Sequence, residues 1–410
     1  MKKLLTLICA LTFAGTIAAQ TINVQCGQVT EVFKAMADEM PFCCGTRVTI
    51  QGRDYPVSDI TKIYFDESEV PVNTVNVVYN GNSATVRIPG DIAEQLSVTV
   101  NDAYVKIEQD SALDVEMTYI LSGSSTNGSF VMDGEYKATV KLNGLTLSSD
   151  TTAAINIHNG KRINVIVADG TVNTLADGAG GLQKACFFIN GHAEFSGNGT
   201  LNLTGNAKHA YRSDEYSLFE ETFGGTFNVL SAASDAMHVE QYIDVRGGTF
   251  VLKGMKGDGI DVPFTNDPTD VNNGYAFISG GTFNIDCTTD DTKGIKCDTM
   301  MTITGGNITV NVAGDGCKGI SSGGDLTMSG GTISMTVSGT TYHKGQIDES
   351  KCRGIKVNKD FTFTGGTIGM SVTGNKAKGI KVDGTYYYNG SGTMLNNLTV
   401  DTDGGSVRIN

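Results

Sequence analysis

Tryptophan is absent from the 410-residue chain, proline occurs 6 times and histidine 5 times, and charged residues make up only 18%. Each shortage excludes something. Without indole rings there is no flat stacking platform of the kind that suits crystalline neutral glucan. The low charge density, set against 40% hydrophobic residues, excludes a disordered polyampholyte, and so few prolines exclude a collagen-like chain. Beyond the first twenty residues no window approaches the ~20 uninterrupted apolar residues of a membrane-spanning helix. No Cys-x-x-Cys pair occurs, which argues against a structural zinc site, and no Ser/His/Asp or Cys/His spacing points to a nucleophile. Cations are scarce too. With 30 Lys and Arg against 44 Asp and Glu the formal charge is −14, which argues against nucleic acid as a partner.

The first residues, Met1-Lys2-Lys3, precede an apolar run from Leu4 to Phe13 and then small residues ending Ile17-Ala18-Ala19-Gln20. This is the pattern of a secretory leader over residues 1–19, cut after Ala19. Cys9 lies inside the run behind Thr6-Leu7-Ile8, without the small residue that precedes a lipidated cysteine. The expected product is exported, monomeric and unlipidated, located in the periplasm, at the cell surface or outside the cell. It keeps eight cysteines, an even number that permits disulfides.

What the sequence has in abundance is glycine, 52 residues, much of it in pairs. Gly224-Gly225-Thr226-Phe227, Gly247-Gly248-Thr249-Phe250, Gly280-Gly281-Thr282-Phe283, Gly305-Gly306-Asn307-Ile308, Gly330-Gly331-Thr332-Ile333 and Gly365-Gly366-Thr367-Ile368 follow one another at steps of 23, 33, 25, 25 and 35 residues. Weaker copies at Asn143-Gly144, Asp169-Gly170, Asn198-Gly199 and Ser391-Gly392 extend the series to about ten units. Within a unit, apolar residues alternate in three short runs, as in Leu326-x-Met328, Ile333-x-Met335-x-Val337 and Ile355-x-Val357. Period two means strands, three per unit. No segment between the Gly and Asn punctuation is long enough for a helix, which removes the leucine-rich-repeat class. The fold expected is all-β, a right-handed parallel β-helix of about ten coils, with inward columns of Ile, Val, Phe and Met. At ~4.8 Å per coil the stack is ~45 to 50 Å long. The Gly pairs are corners of this solenoid rather than a phosphate loop, since no helix follows them. The β-helix domain is assigned to residues 72–410. Residues 20–71 form a small N-terminal cap, with a short amphipathic helix expected over Val29 to Met40.

A second signature recurs after each corner: Gly257-Asp258-Gly259-Ile260-Asp261, Thr292-Lys293-Gly294-Ile295-Lys296, Cys317-Lys318-Gly319-Ile320-Ser321, Cys352-Arg353-Gly354-Ile355-Lys356 and Ala377-Lys378-Gly379-Ile380-Lys381. Earlier copies are Lys208-His209-Ala210-Tyr211-Arg212 and Ser234-Asp235-Ala236-Met237-His238. Stacking predicts a basic ladder of Lys293, Lys318, Arg353 and Lys378, continued with opposite sign by Asp258 and Asp235. Like charges ~5 Å apart repel by about 1 kcal/mol in water and by about 3 to 4 kcal/mol at an effective dielectric of 20. Such a ladder calls for counter-ions, supplied either by neighbouring Asp290, Asp291, Asp315 and Asp383 or by an anionic polymer lying along the stack. Asp258, Asp261, Asp290 and Asp291, with Asp235 one turn away, form an oxygen-rich corner suited to calcium, although Asp is also an ordinary turn residue. His209 and His238 are read as equivalent ladder residues rather than ligands. Cys317 and Cys352, equivalent in adjacent turns, are expected close enough for a disulfide.

Two stretches carry a family resemblance. Ile120-Leu121-Ser122-Gly123-Ser124 followed by Val140-Lys141-Leu142-Asn143-Gly144-Leu145, and Gly257-Asp258-Gly259-Ile260 before Tyr275-Ala276-Phe277-Ile278-Ser279-Gly280-Gly281-Thr282, resemble the opening and centre of the bacterial secreted carbohydrate-binding β-helix family, related in fold to polysaccharide lyases. The resemblance covers roughly residues 74 to 395. It implies calcium binding and affinity for plant polysaccharides, acidic ones above all. Where that family repeats Asp-Asp-Gly-Ile, this chain has Lys or Arg at 293, 318, 353 and 378, which favours direct contact with anionic sugar. Three functions follow as expectations. The first is a non-catalytic binder of acidic polysaccharide through Lys293, Lys318, Arg353 and Lys378, with calcium at Asp235, Asp258, Asp261, Asp290 and Asp291 raising the melting temperature. The second is a polysaccharide lyase whose base is Lys293, and the third is a surface adhesin with a protein partner.

Overall fold

The computed structural model describes residues 21–36, 42–70, 72–265, 267, 269–345, 348–395, 400–402 and 407–409. The expected leader, residues 1–19, lies outside them. Among the described residues the chain is all-β, and its one helical segment is the 3-10 turn Ala93–Gln95.

From Ile163 onward the strands come in threes, interrupted once by the antiparallel hairpin Thr341–Lys344 and Asp348–Lys351, and each strand of a trio pairs in parallel with the strand of the same rank in the next trio. Tyr275–Ile278, Thr282–Cys287 and Lys293–Cys297 are followed by Met300–Ile303, Asn307–Val312 and Lys318–Ser322. The first members pair with each other, the second with each other and the third with each other, in unbroken register. The third rank is a separate sheet of 13 strands, while the first two run together as a sheet of 26 through the long strand Ala138–Ser148. Parallel strands need crossover connections, and here the other two strands of the trio serve as the crossover.

The register explains the sequence alternation. Ile260, Ile295, Ile320, Ile355 and Ile380 are consecutive partners in the 13-stranded sheet and are essentially inaccessible. In the second rank Phe227, Phe250, Phe283, Ile308, Ile333 and Ile368 form a like column. The Phe250 and Phe283 rings are parallel, with centroids 4.8 Å apart. One residue type repeated at the strand spacing keeps each inward side chain packed on its own kind, so a single continuous core runs through the stack.

The corners need glycine for two reasons. Gly306 has φ +82°, a region L-residues rarely adopt, and a Cβ there would also lie 2.6 Å from the carbonyl oxygen of Gly280 in the preceding turn.

The N-terminal region is built differently. Thr21–Cys26 pairs antiparallel with both Val29–Lys34 and Lys62–Asp66, and Arg47–Ile50 pairs antiparallel with Phe42–Cys44 and Arg53–Pro56. A separate small core of Ile22, Val24, Phe33, Val48, Ile50, Tyr55, Ile60 and Ile63 holds it. Val29–Lys34 also pairs in parallel with Ser83–Pro89, which ties this region to the stack. The helix expected over Val29 to Met40 is therefore corrected: its first half is a strand, and residues 37–41 lie outside the described residues. Val29, Thr30 and Val32 are β-branched and stiff at χ1, and a ready antiparallel partner lies two residues upstream.

Candidate functional site

The edge of the 13-stranded sheet carries one continuous column of polar residues. Its strands are short because each begins right after a corner and ends at the next turn, so the first residue of each stands at the rim. Register places Lys293 opposite Lys318, Lys318 opposite Arg353 and Arg353 opposite Lys378. The basic ladder expected from the sequence therefore exists as a stack. Upstream, the same position is held by Asp258, Asp235 and His209, as counted from the pairs Ile260–Ile295, Met237–Ile260 and Tyr211–Met237. From Asp258 to Arg353 the glycine that follows each rim residue is required by close packing: a Cβ on Gly294 would lie 2.5 Å from the Gly319 carbonyl oxygen of the next turn.

A second polar column, missed in the sequence, runs three residues further along each strand: Arg212, His238, Asp261, Lys296, Ser321, Lys356, Lys381 and Asp401. Together the two columns put Lys293, Lys296, Lys318, Arg353, Lys356, Lys378 and Lys381 on four successive strands of an acidic protein. The recurring Lys-Gly-Ile-Lys was the signal that could have found it.

The cations are not an idle comb. Lys293 Nζ donates to the Asp291 carbonyl oxygen at 2.6 Å, and Lys318 Nζ donates to Asp291 Oδ1 at 3.4 Å and to Ser350 Oγ. Burial, and then the nearby Lys293 charge, push the Lys318 ammonium below its ordinary range. Arg353 is only 7% exposed, and its Nη1 donates to the carbonyl oxygens of Cys352 and Lys376. Lys378 stands out at the rim, paired with Asp401. Of the four, Arg353 is the one packed into the corner.

The five carboxylates expected to hold calcium are spread out and already engaged. Asp235 Oδ1 accepts the Asp258 backbone N–H at 2.8 Å, Asp258 Oδ1 accepts that of Lys293 at 2.8 Å, and Asp290 Oδ1 accepts that of Asp315 at 2.9 Å. These are staples between successive turns. Asp261 Oδ1 takes the Lys296 ammonium at 2.8 Å, and Asp291 Oδ1 takes Lys318 together with the Ser350 hydroxyl at 2.7 Å. Calcium needs six to eight oxygens, and a set of staples and lysine partners does not fit one such ion. Among the described residues, the one group of three or more Asp, Glu, His or Cys whose ligand atoms all lie within 4.8 Å of one another is His209, Asp235 and His238. The two histidines are not equivalent, as the sequence suggested. His209 stands one place before Asp235 in the first column and His238 one place before Asp261 in the second, so both rings reach the Asp235 carboxylate from adjacent turns.

Electrostatics differ within this stretch. Burial pushes the Asp258 carboxyl up to about 6, with Lys293 opposing. Asp235 is also buried, yet its two imidazole neighbours hold it well below the usual carboxylate range. At Asp261, His238 and Lys296 likewise outweigh burial.

Cys317 and Cys352 are buried free thiols, as are Cys186, Cys287 and Cys297, and Cys26 is a half-buried free thiol. The expected disulfide is corrected. In-register parallel strands point their Cβ atoms the same way, and each sulfur instead meets a carbonyl oxygen, Cys317 Sγ that of Thr289 at 3.0 Å and Cys352 Sγ that of Gly314 at 3.1 Å.

The outer face of the second-rank ladder offers a different surface. Asn284, Thr309, Ser334 and Gly369 are successive partners, flanked by Asn311, Thr336 and Ser371, and they line an open groove of 420 Å³ that ends at Leu395. It carries amides and hydroxyls and no cation. On a third surface Tyr216 and Tyr242 stack at 4.9 Å with His192 on Tyr216 at 4.5 Å, so ring faces are packed on one another rather than left free for a sugar.

No curated protein sequence matches the chain. Among solved structures, a polysaccharide lyase-like protein from C. thermocellum, studied as a gadolinium derivative, aligns with 80% of this chain and 99% of its own at 17% identity and a TM-score of 0.36. The fold described above rests on the strand registers and not on that overlap. A profile of carbohydrate-binding domain-containing proteins matches residues 101–404, which span every rim strand of the polar columns. Covering well over half of the chain, that match makes this protein a member of the carbohydrate-binding domain-containing family.

Proposed function

We propose that the protein is an exported, non-catalytic binder of acidic polysaccharide, and that its ligand lies along the rim of the 13-stranded sheet. In this reading residues 1–19 are a cleaved leader, residues 20–71 cap the stack, and residues 72–410 form a right-handed parallel β-helix of about ten coils acting as a monomer. The observation that carries the reading is the register of Lys293, Lys318, Arg353 and Lys378, doubled by Lys296, Lys356 and Lys381 one column over. Strands in a ladder are 4.7 to 4.9 Å apart, so charges recur about every 5 Å, close to the spacing of successive sugars in an extended polyuronate. Family membership supports a sugar ligand, and the cations support a carboxylated one. The outermost Asp partner is exchangeable: an exposed Lys–Asp pair contributes roughly 0 to 1 kcal/mol, so a uronate can replace Asp401 on Lys378 at little cost.

The test is retention on immobilised polygalacturonate and on cellulose by the wild type and by a variant with Lys293, Lys318 and Lys378 changed to Gln. Arg353 is kept because it is structural. The wild type should be retained on polygalacturonate alone and the triple variant should not. Equal retention of both proteins would move the ligand elsewhere, with the neutral groove at Asn284 to Ser371 next in line.

One observation favours a second reading, a lyase. β-Elimination from a uronate needs a base near neutrality, and Lys318 is the rim lysine whose ammonium is depressed by burial and by its neighbour, which makes it a better candidate than Lys293. Incubation with polygalacturonate should then generate the ultraviolet absorbance of an unsaturated uronide, lost in Lys318→Gln.

A further inference from the structure

Where the first column changes from cation to carboxylate, three ligand-type atoms converge, and one of the two imidazoles is left without a hydrogen-bond partner. His209 is 2% exposed, and neither of its ring nitrogens has a hydrogen-bond partner. Its Nδ1 lies 3.1 Å from Asp235 Oδ2 but is not aligned as a hydrogen bond. His238 Nδ1 approaches the same oxygen at 3.1 Å, and the two imidazoles stack with centroids 4.5 Å apart and planes at 25°. A buried imidazole with two unmet nitrogens bears the full cost of desolvation, and native interiors rarely leave such a group unexplained.

We propose that His209, Asp235 and His238 bind a divalent transition-metal ion of the zinc class. The spacing fits: two ligands each about 2.0 to 2.1 Å from a tetrahedral zinc stand about 3.3 Å apart, close to both observed 3.1 Å contacts. The donor set fits as well, since two imidazoles and one carboxylate suit zinc, copper or nickel, whereas calcium takes oxygen alone. His238 Nδ1 also lies 3.1 Å from Asp261 Oδ2, a contact the ion would displace, while the cations nearby are engaged elsewhere. Arg212 is paired with Asp214 and Glu240, and Lys296 is held on Asp261 Oδ1. The shell around the ligands is ordered too: Asp235 Oδ1 is fixed by the Asp258 backbone N–H at 2.8 Å, which leaves Oδ2 turned to the imidazoles. Three protein ligands leave one position for water or a sugar oxygen, as in metal sites that exchange ligands rather than in closed structural ones. Neither histidine is needed for the ladder reading, so the two proposals stand or fall separately.

The experiment uses the untagged exported chain, stripped with chelator and dialysed against zinc chloride, cobalt chloride or calcium chloride. One equivalent of zinc per chain is expected, unaffected by excess calcium, and cobalt should give visible ligand-field bands without a thiolate charge-transfer band. His238→Gln, at the more open side of the site, and His209→Gln should each lower zinc affinity at least about tenfold while the melting curve of the metal-free protein shows a folded chain. If the buried His209 variant does not fold, His238→Gln alone decides. Failure to retain zinc, retention unchanged in His238→Gln, or displacement by calcium would overturn the proposal. A thiolate-to-cobalt band would do so as well, by moving the ion to the buried thiols of Cys287, Cys317 and Cys352.

Discussion

The two halves of the rim column share a backbone and differ in chemistry. From His209 to Asp258 the position offers lone pairs, and from Lys293 to Lys378 it offers cations, with a glycine or alanine following and an apolar inward residue stacked behind, Tyr211 and Met237 in the first turns and isoleucine from Ile260 onward. The donor half is the more buried, and its side chains converge on one carboxylate. In the cationic half Lys293 and Lys318 share Asp291, Arg353 turns to two backbone carbonyls, and Lys378 reaches out to Asp401. A repeat scaffold fixes where a side chain starts, and the sign of its neighbours decides whether the column closes on itself or reaches outward.

Breaking the scaffold beneath both halves should have the largest effect. Ile320→Ala removes buried methyl groups from the middle of a close-packed column, and a loss of about 2 to 5 kcal/mol is expected in denaturant unfolding. If Ile320→Ala cost less than about 1 kcal/mol, the core would be adaptable and the column positions less fixed than described.

The next effect separates the halves by pH. Asp258 is raised from 3.8 to about 6 in the folded chain, so the native state holds this proton more tightly than the unfolded state. The stability linked to this proton is fully present below about pH 4 and is lost as pH rises through about 6. Asp258→Asn keeps the oxygen that accepts the Lys293 N–H and removes the ionisation. It should raise the melting temperature at pH 8, corresponding to about 1 to 3 kcal/mol, with little change at pH 4. Equal shifts at both pH values would contradict a buried, raised carboxyl.

A smaller effect lies within the cationic half. Lys293→Gln should move the Lys318 titration upward, as followed by the side-chain NMR signals of Lys318, because a neighbouring like charge is removed. No movement would mean that burial alone depresses it.

The sequence made the cationic half legible because near copies of Lys-Gly-Ile-Lys recur at steps of 25, 35 and 25 residues and announce a stack, and Lys293, Lys318, Arg353 and Lys378 are register partners. The donor half was not legible. His209, Asp235 and His238 meet only because one column borrows from the next across a turn boundary, and that offset is a property of the register rather than of any local motif. Calcium was expected there because five aspartates are near in sequence, whereas one oxygen of each staples two turns together or holds a lysine. The three-strand repeat was readable from the alternation of apolar residues. The strand Val29–Lys34 was not, since its partners Thr21–Cys26 and Ser83–Pro89 approach it from both sides and override a weak helical pattern.

The reading of the rim as the ligand surface is tested most directly by the affinity of the wild type for a polygalacturonate oligomer across a salt series. Several weak exposed charges acting together are screened beyond about 8 Å at physiological ionic strength. Affinity should therefore fall steadily as salt rises, and the fall should be shallower in the Lys293, Lys318 and Lys378 to Gln variant. Affinity independent of salt, or an identical salt dependence in the two proteins, would contradict the rim as the binding surface.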